Sequence, residues 1–261
     1  MLNQNALNEV SKELVRHSNK IRRIFEDEKR KSAYHRSGVQ INNNRLIPGI
    51  IQFERGIPER KLYTSKRYQT EIVAGFSFAT DHSSSLGNGA GSDWAQICLL
   101  IGAMHQLADK LGIKSQSGIV RYKSGYAKVL GATNSNVPVV TRALPLGCPW
   151  KNEYLNPIYN KRPNGGTCLT SYANAAIEMA LEIPDCTHRI AFFLTDGDSG
   201  DRVYLESLRQ QALAKGVVLI GIGIGYGVRV NTLPNAITGQ TALEIASKMC
   251  EKIAEHIKKK D

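Results

Sequence analysis

An apolar segment that ends in a cluster of oxygen-bearing side chains constrains this chain more than any other feature. Residues 72–80 are rich in Ile, Val and Phe, and Asp81 follows them, with Ser83 and Ser85 at alternate positions beyond it. Such a run predicts a buried strand of a parallel sheet. Open α/β sheets bind their ligands just past the carboxyl ends of the strands. A carboxylate and two hydroxyls are hard oxygen donors that suit Mg²⁺, although an Asp/Ser turn capping the next helix would use the same residues.

Two later segments add oxygen donors of the same kind. Residues 164–170, NGGTCLT, place Thr167 behind two glycines and before a helical stretch. Residues 189–198, RIAFFLTDGD, form a second apolar strand that ends at Asp196. The order of these pieces, DxSxS, then GGT, then a strand closing in TDG, resembles the metal-ion-dependent adhesion site (MIDAS) of von Willebrand factor A (VWA) domains.

The resemblance implies a role for each of these side chains. Ser83 and Ser85 would coordinate Mg²⁺, or Mn²⁺, through their hydroxyls. Asp81 and Asp196 would hold the ion mainly through bound waters, and Thr167 would join directly or through water. Because the direct ligands would be neutral, the ion would stay electrophilic and accept an Asp or Glu from a partner protein. The resemblance therefore implies a recognition site and not a hydrolytic centre.

A second set of residues narrows the resemblance. GIGIGYGV at 221–228 follows the last apolar strand, and upstream a helical IRRIF segment at 21–25 precedes a Phe53-x-Arg55 element. This layout is similar to the C-terminal region of the aerobic cobaltochelatase CobT subunit and to nitric-oxide-reductase accessory VWA proteins. Such relatives carry Met where this chain has Leu86. By this resemblance, the partner would be a MoxR- or CobS-type AAA+ ATPase.

Apolar segments of strand and helix type alternate along the main part of the chain. Strands are predicted at 118–122, 190–195 and 217–224, with candidate edge strands at 127–130 and 137–144. Helices are predicted at 94–111, 169–181, 201–215 and 241–258, the last with an apolar stripe of Leu243, Ala246, Cys250, Ile253 and Ile257. This alternation predicts an α/β fold with a doubly wound, mostly parallel sheet and an N-terminal helical extension. We expect residues 1–70 to form a basic N-terminal helix and connector, and residues 71–261 the VWA-like domain.

The N-terminal part has a narrow apolar stripe. Residues 3–31 predict one long helix whose apolar residues recur at three- and four-residue steps. The helix either lies along the main domain or docks a partner subunit, and both interpretations are open. The connector after it suggests a hairpin through 52–55 and 61–64. The loop at 145–166, with several prolines and aromatic residues, is expected to border the metal site because it delivers Thr167.

The charge and the cysteine content limit which partners and which cellular compartment are expected. The chain has 34 Lys and Arg against 23 Asp and Glu, a net charge of +11. Residues 1–70 hold 15 of the basic and 7 of the acidic side chains, so the positive charge is concentrated there. An acidic protein or a nucleic acid is attracted to such a region, but no nucleic-acid-binding module is recognisable. Five cysteines without CxxC spacing, and an N-terminus without a signal-peptide pattern, favour the cytoplasm.

Enzyme interpretations are weaker than a binding one. FFLTDGDSG resembles the opening of haloacid-dehalogenase-type phosphotransferases, with Asp196 as nucleophile and Asp198 as general acid/base. That class needs a later acidic pair, and beyond Asp201 the only Asp is Asp261. A hydrolase built on His82 and its neighbouring serine lacks a GxSxG elbow. The sequence therefore predicts a non-catalytic, Mg²⁺-dependent adaptor, and a structural or assembly protein with the same fold is the alternative.

Overall fold

The chain folds into two compact units. The computed structural model describes residues 1–30, 34–35, 40–41, 63–64, 73–122, 138–197, 202–225 and 233–258. One unit combines Met1–Arg22 with Val73–Asp261, and the other is Arg23–Ile72. The second unit contains a small antiparallel sheet in which Tyr63–Thr64 lies between Tyr34–His35 and Gln40–Ile41.

The elements are numbered in chain order. The helices are α1 (Gln4–Arg30), α2 (Asp93–Leu111), α3 (Leu155–Tyr159), α4 (Leu169–Leu181), α5 (Arg202–Ala214) and α6 (Ala242–Lys258), with 3-10 turns at Ser84–Leu86 and Asn152–Tyr154. The strands are β1 (Tyr34–His35), β2 (Gln40–Ile41), β3 (Tyr63–Thr64), β4 (Ala74–Asp81), β5 (Lys114–Tyr122), β6 (Pro138–Leu144), β7 (His188–Thr195), β8 (Val217–Ile224) and β9 (Ile237–Gly239).

The large unit is built on a six-stranded sheet in the order β6-β5-β4-β7-β8-β9. All neighbouring pairs are parallel except β5 and β6, so the predicted doubly wound α/β fold is confirmed. Alternate side chains of β4 point to opposite faces. Phe78 meets His105 of α2 on one face, and Ser77 donates a hydrogen bond to the carbonyl of Ala176 in α4 on the other, at 2.7 Å.

The order of the strands reverses direction between β4 and β7. After β4 the chain crosses to β5 on one side, and after β7 it crosses to β8 on the other side. The loops that follow these two central strands therefore diverge and leave a crevice between them. In open α/β sheets this switch point is where ligands bind.

The first part of α1 packs on the large unit. Leu7, Leu14 and Ile21 are completely buried. The Leu7 side chain lies against Gly102 of α2, where an added Cβ would come within 3.0 Å of it. The Cys250 thiol of α6 donates to the carbonyl of Leu14 at 3.4 Å. These contacts favour the interpretation that the helix lies along the main domain.

Several expectations about individual elements need correction. The loop at 145–166 contains a 3-10 turn and α3, and its Trp150 is buried and stacked on His105 with ring centroids 5.7 Å apart. Strand β5 begins four residues before the predicted position, and β9 was not predicted. In α6 the Leu243 side chain is 44% exposed, contrary to the predicted stripe, because Ile245 and Met249 face the core instead.

Some sequence features concern residues outside the described ranges, the cysteines or the length of the helices. The predicted segments at 52–55 and 127–130 lie outside the described residues. All five cysteines are free. Among the described helices, none is both long and apolar enough to span a bilayer.

Candidate metal centre

Asp81 stands at the carboxyl end of β4 and ties two segments together. It is completely buried. One carboxylate oxygen, Oδ1, accepts from the backbone N–H of Ser83 at 2.7 Å, and the other, Oδ2, accepts from the Thr195 hydroxyl at 2.7 Å. Burial raises the pKa of Asp81, and the hydrogen bonds from Thr195 and Ser83 oppose that rise.

The two serines of the DxSxS segment face Asp196 across the crevice. The hydroxyl oxygens of Ser83 and Ser85 lie 2.9 Å apart. The Ser85 hydroxyl donates to Oδ1 of Asp196 at 3.1 Å. Ser83 is buried, whereas Ser85 is exposed, so the row of oxygens runs from the interior to the surface.

The GGT segment docks on the DxSxS segment through its backbone. The N–H of Ser84 donates to the carbonyl of Gly165 at 3.0 Å, and the N–H of Gly165 donates to the carbonyl of His82 at 2.8 Å. Thr167 follows directly and touches Gly197, where an added Cβ would lie 2.8 Å from the Thr167 methyl group. The structure therefore brings Thr167 beside the Asp196 turn.

A third carboxylate, absent from the sequence prediction, lies next to this cluster. Asp93 is in the first turn of α2, and an added Cβ on Gly225 would lie 2.7 Å from its Oδ2. Burial raises the pKa of Asp93, and the negative charge of Asp196 raises it further. Burial also raises the pKa of Asp196, against the hydrogen bond from Ser85. The site thus concentrates negative charge and favours a cation.

Three further side chains shape the site without having been predicted. Thr195 bonds to Asp81, as described above. The Tyr172 hydroxyl donates to the carbonyl of Gly166 at 2.7 Å and so anchors the GGT segment to α4; burial and the Asp81 charge raise the pKa of this phenol. The third, His82, packs its ring edge-on against Trp94, and its Nε2 lies 2.9 Å from the Lys161 carbonyl.

The chemistry of this donor set fits a hard divalent cation. The five predicted residues converge at the switch point between β4 and β7, and they offer only hydroxyl and carboxylate oxygens. Oxygen ligands of this kind suit Mg²⁺ or Mn²⁺ better than a soft metal. In the described ranges, this site included, no three His, Cys, Asp or Glu side chains are grouped to hold a metal ion, so the donor set here depends on its hydroxyls as well as its carboxylates. Coordination by these five side chains stays a prediction.

Comparison with known proteins gives likenesses of fold. No protein-family model and no curated protein matches the chain. Proximal thread matrix protein 1 from the mussel byssus is 22% identical with a TM-score of 0.49, over 70% of this chain and 47% of that one. One structure of that protein has a zinc-occupied MIDAS motif. This chain therefore matches about half the length of the mussel protein.

Two other solved structures have lower scores. A von Willebrand factor type A protein from Catenulispora acidiphila is 15% identical with a TM-score of 0.43, over 74% of this chain and 43% of that one. The manganese-loaded TRAP protein of Plasmodium vivax is 16% identical with a TM-score of 0.41, over 61% of this chain and 60% of that one. At these identities the likeness concerns the fold, and function depends on the site itself.

Proposed function

We propose that this chain is a VWA-type adaptor that binds Mg²⁺, or Mn²⁺, and through it an acidic side chain of a partner protein. The residues that would hold the ion are Asp81, Ser83, Ser85, Thr167 and Asp196. The observation that carries the proposal is their convergence, with the hydroxyls of the two serines 2.9 Å apart and Ser85 3.1 Å from Asp196. A bound divalent cation would supply the positive charge that attracts a carboxylate.

The arrangement of the side chains favours binding of a partner at this point. The carboxylate of Asp81 is buried beneath the hydroxyls, whereas Ser85 and Thr167 are exposed. A partner approaching from solvent therefore meets neutral hydroxyls before it meets the Asp81 charge. The half-exposed Asp93 and Asp196 would still repel an acidic partner residue, and the bound cation would have to outweigh that repulsion.

Basic residues beside the site support an acidic partner. Lys161 and Arg162 are exposed in the segment that binds His82 through the Lys161 carbonyl. Positive side chains at the rim of an interface steer a negatively charged partner and raise its association rate. Lys161→Ala and Arg162→Ala are expected to slow association without changing the metal affinity.

The narrower part of the proposal concerns the partner's identity. We infer, from the resemblance of residues 221–228 and of the layout ahead of β4 to CobT-like proteins, that the partner is a MoxR- or CobS-type AAA+ ATPase. The chain would then act as a non-catalytic subunit in remodelling or metal insertion. The five free cysteines favour a reducing compartment such as the cytoplasm.

A matched pair of serine variants tests the metal-dependent contact. The full-length chain is used as bait in an extract of its source, with Mg²⁺, with EDTA, and with Mg²⁺ restored. We expect an ATPase to be retained only with the metal, and Ser85→Ala to lose it. Ser84→Ala is the control, because Ser84 is a neighbouring exposed serine whose backbone, rather than its side chain, contacts Gly165. Retention that EDTA and Ser85→Ala leave unchanged would refute the proposal.

The exposed basic face of α1 supports a second candidate, a scaffold that holds a neighbour without metal. Lys12, Arg16 and Arg22 are exposed on the helix surface that faces away from the domain. Deleting the helix would also remove the buried Leu7 and Leu14 from the core, so alanine variants of the three basic residues are the cleaner test. A scaffold predicts association that resists EDTA and is lost in these variants.

A further inference from the structure

Thr195 makes two hydrogen bonds whose directions are fixed by chemistry. Its hydroxyl oxygen accepts from the backbone N–H of Gly197 at 2.9 Å and contacts Oδ2 of Asp81 at 2.7 Å. A backbone N–H only donates, and an ionised carboxylate only accepts. The hydroxyl proton of Thr195 therefore points to Asp81. Both Thr195 and Asp81 are completely buried, so water does not compete for these bonds.

The hydroxyl joins two segments that are far apart in the chain. Asp81 ends β4, and Thr195 ends the neighbouring strand β7, with Thr80 paired to Leu194 in the register. The second carboxylate oxygen of Asp81 is held within its own loop by the N–H of Ser83 at 2.7 Å. Each carboxylate oxygen of Asp81 is thus held by a different segment. Of these two hydrogen bonds, the one from Thr195 connects β4 to β7.

The same hydroxyl also sets the turn that carries Asp196. The bond from the Gly197 N–H closes this turn over Thr195. Gly197 in turn contacts the methyl group of Thr167, with no room for a Cβ between them. A shift of this turn would therefore move Asp196 and Thr167 together, relative to Asp81.

We propose that Thr195 is a positioning residue that sets the spacing of the metal site and so its preference for Mg²⁺ over Ca²⁺. The inference rests on the proposed metal-binding function. Mg²⁺ demands near-octahedral geometry at about 2.0–2.1 Å, whereas Ca²⁺ accepts more ligands at about 2.3–2.6 Å in flexible arrangements. When the loops of the site are no longer tied together, the affinity for Mg²⁺, which needs the tighter geometry, therefore falls more than the affinity for Ca²⁺.

Calorimetric titration of the full chain with Mg²⁺ and with Ca²⁺ tests the inference. Thr195→Val keeps the shape and removes the hydroxyl, and Thr195→Ser keeps the hydroxyl. Partners outside the coordination shell typically change metal affinity about 10–100-fold when removed. We expect a loss of that size for Mg²⁺ in Thr195→Val, a smaller loss for Ca²⁺, and near wild-type binding in Thr195→Ser. If Thr195→Val fails to fold, the Thr195→Ala and Thr195→Ser pair isolates the same hydroxyl.

Thr80→Val is the matched control. Thr80 is as buried as Thr195 and lies one residue before Asp81, but its hydroxyl bonds to the Gly118 carbonyl at 3.4 Å instead of to the carboxylate. It is expected to lower the melting temperature and to leave the ratio of the Ca²⁺ and Mg²⁺ dissociation constants unchanged. If Thr195→Val and Thr195→Ala show the same ratio of the Ca²⁺ and Mg²⁺ dissociation constants as Thr80→Val, the positioning role of Thr195 is overturned. A wild-type chain that binds neither ion would instead refute the proposed function.

Discussion

Replacing Asp196 by Asn is expected to have opposite effects on stability with and without Mg²⁺. In EDTA the substitution removes a carboxylate whose negative charge raises the pKa of the neighbouring Asp93. The hydrogen bond from the Ser85 hydroxyl, 3.1 Å long in the native chain, is kept because the amide oxygen also accepts. Asp196 is half-exposed, so solvent screens the repulsion that is relieved. We therefore expect Asp196→Asn to be equally stable or more stable than the wild type, by at most about 1 kcal/mol.

With Mg²⁺ the order reverses. At a concentration 100 times its dissociation constant, the ion stabilises the wild type by about 2.7 kcal/mol, which corresponds to a rise in melting temperature of about 5–10 °C for a domain of this size. If the variant binds about 10–100-fold more weakly, its gain falls to about 0.4–1.4 kcal/mol. Melting temperatures of both proteins, measured in EDTA and in Mg²⁺, should therefore change order: the wild type melts at the same or a lower temperature than the variant in EDTA, and at a higher temperature in Mg²⁺. Equal gains from Mg²⁺ in both proteins would refute the assignment of Asp196 to the metal site.

The pH dependence in EDTA gives an independent check. Burial raises the pKa of Asp196 in the folded chain, so the folded state holds the proton more tightly than the unfolded state does. Its contribution to stability is complete below the unfolded pKa of about 3.9 and is lost as the pH rises through the folded pKa. The advantage of Asp196→Asn should therefore grow over that interval. A variant that loses stability relative to the wild type as the pH rises would contradict the reasoning.

Three predictions test the packing that supports the site. Leu14→Ala should lower the free energy of unfolding by about 2–5 kcal/mol, because Leu14 is completely buried. If urea unfolding shows Leu14→Ala to be as stable as the exposed-site variant Lys12→Ala, α1 is not docked. Gly102→Ala should cost about 1–3 kcal/mol, since its Cβ would lie 2.8 Å from the Trp150 ring, and unchanged stability would contradict that contact. Ser92→Ala should cost about 1 kcal/mol through loss of the α2 N-cap, and an unchanged urea midpoint would show that the cap contributes nothing.

Local patterns in the sequence were enough to predict the alternation of strands and helices. The apolar runs at 190–195 and 217–224 lie within β7 and β8, and Gly112 ends α2 in the left-handed conformation expected of a helix C-cap. Ser92 caps the N-terminus of the same helix by accepting from the Ala95 N–H, as serine at this position typically does. These features depend on residues close together in the chain, so they can be derived without knowing the sheet order.

The misplaced elements have local causes of their own. Prolines at 145–166 suggested an irregular loop, but Pro157 lies in the first turn of α3, where the missing N–H is not needed. In α6 the buried face is centred on Ile245, Ala246, Met249, Cys250 and Ile253, and Leu243 lies at its edge, where it stays exposed. Three-residue β9 is too short to give a period that distinguishes it from a loop.

The side chains that support the site were not predictable because their partners are distant in sequence. Thr195 bonds to a residue 114 positions away. Asp93 looked like an ordinary first-turn residue of a helix, and only the fold places it beside Gly225 and Asp196. Tyr172 looked like a core residue of α4, which it is, but its hydroxyl also reaches the Gly166 carbonyl.

The order of the strands explains why three weak motifs form one site. Asp81 and Asp196 are separated in the chain by α2, β5, β6, α3 and α4, yet β4 and β7 are neighbours in the sheet. Since both strands run in the same direction, their carboxyl ends meet at one edge, and the connections that follow them diverge to opposite sides of the sheet. The GGT segment enters the crevice between them because it begins α4, which packs across β4 and β7 on one face. The DxSxS segment supplies three of the five side chains and the other two motifs supply one each, and their meeting is a property of the topology.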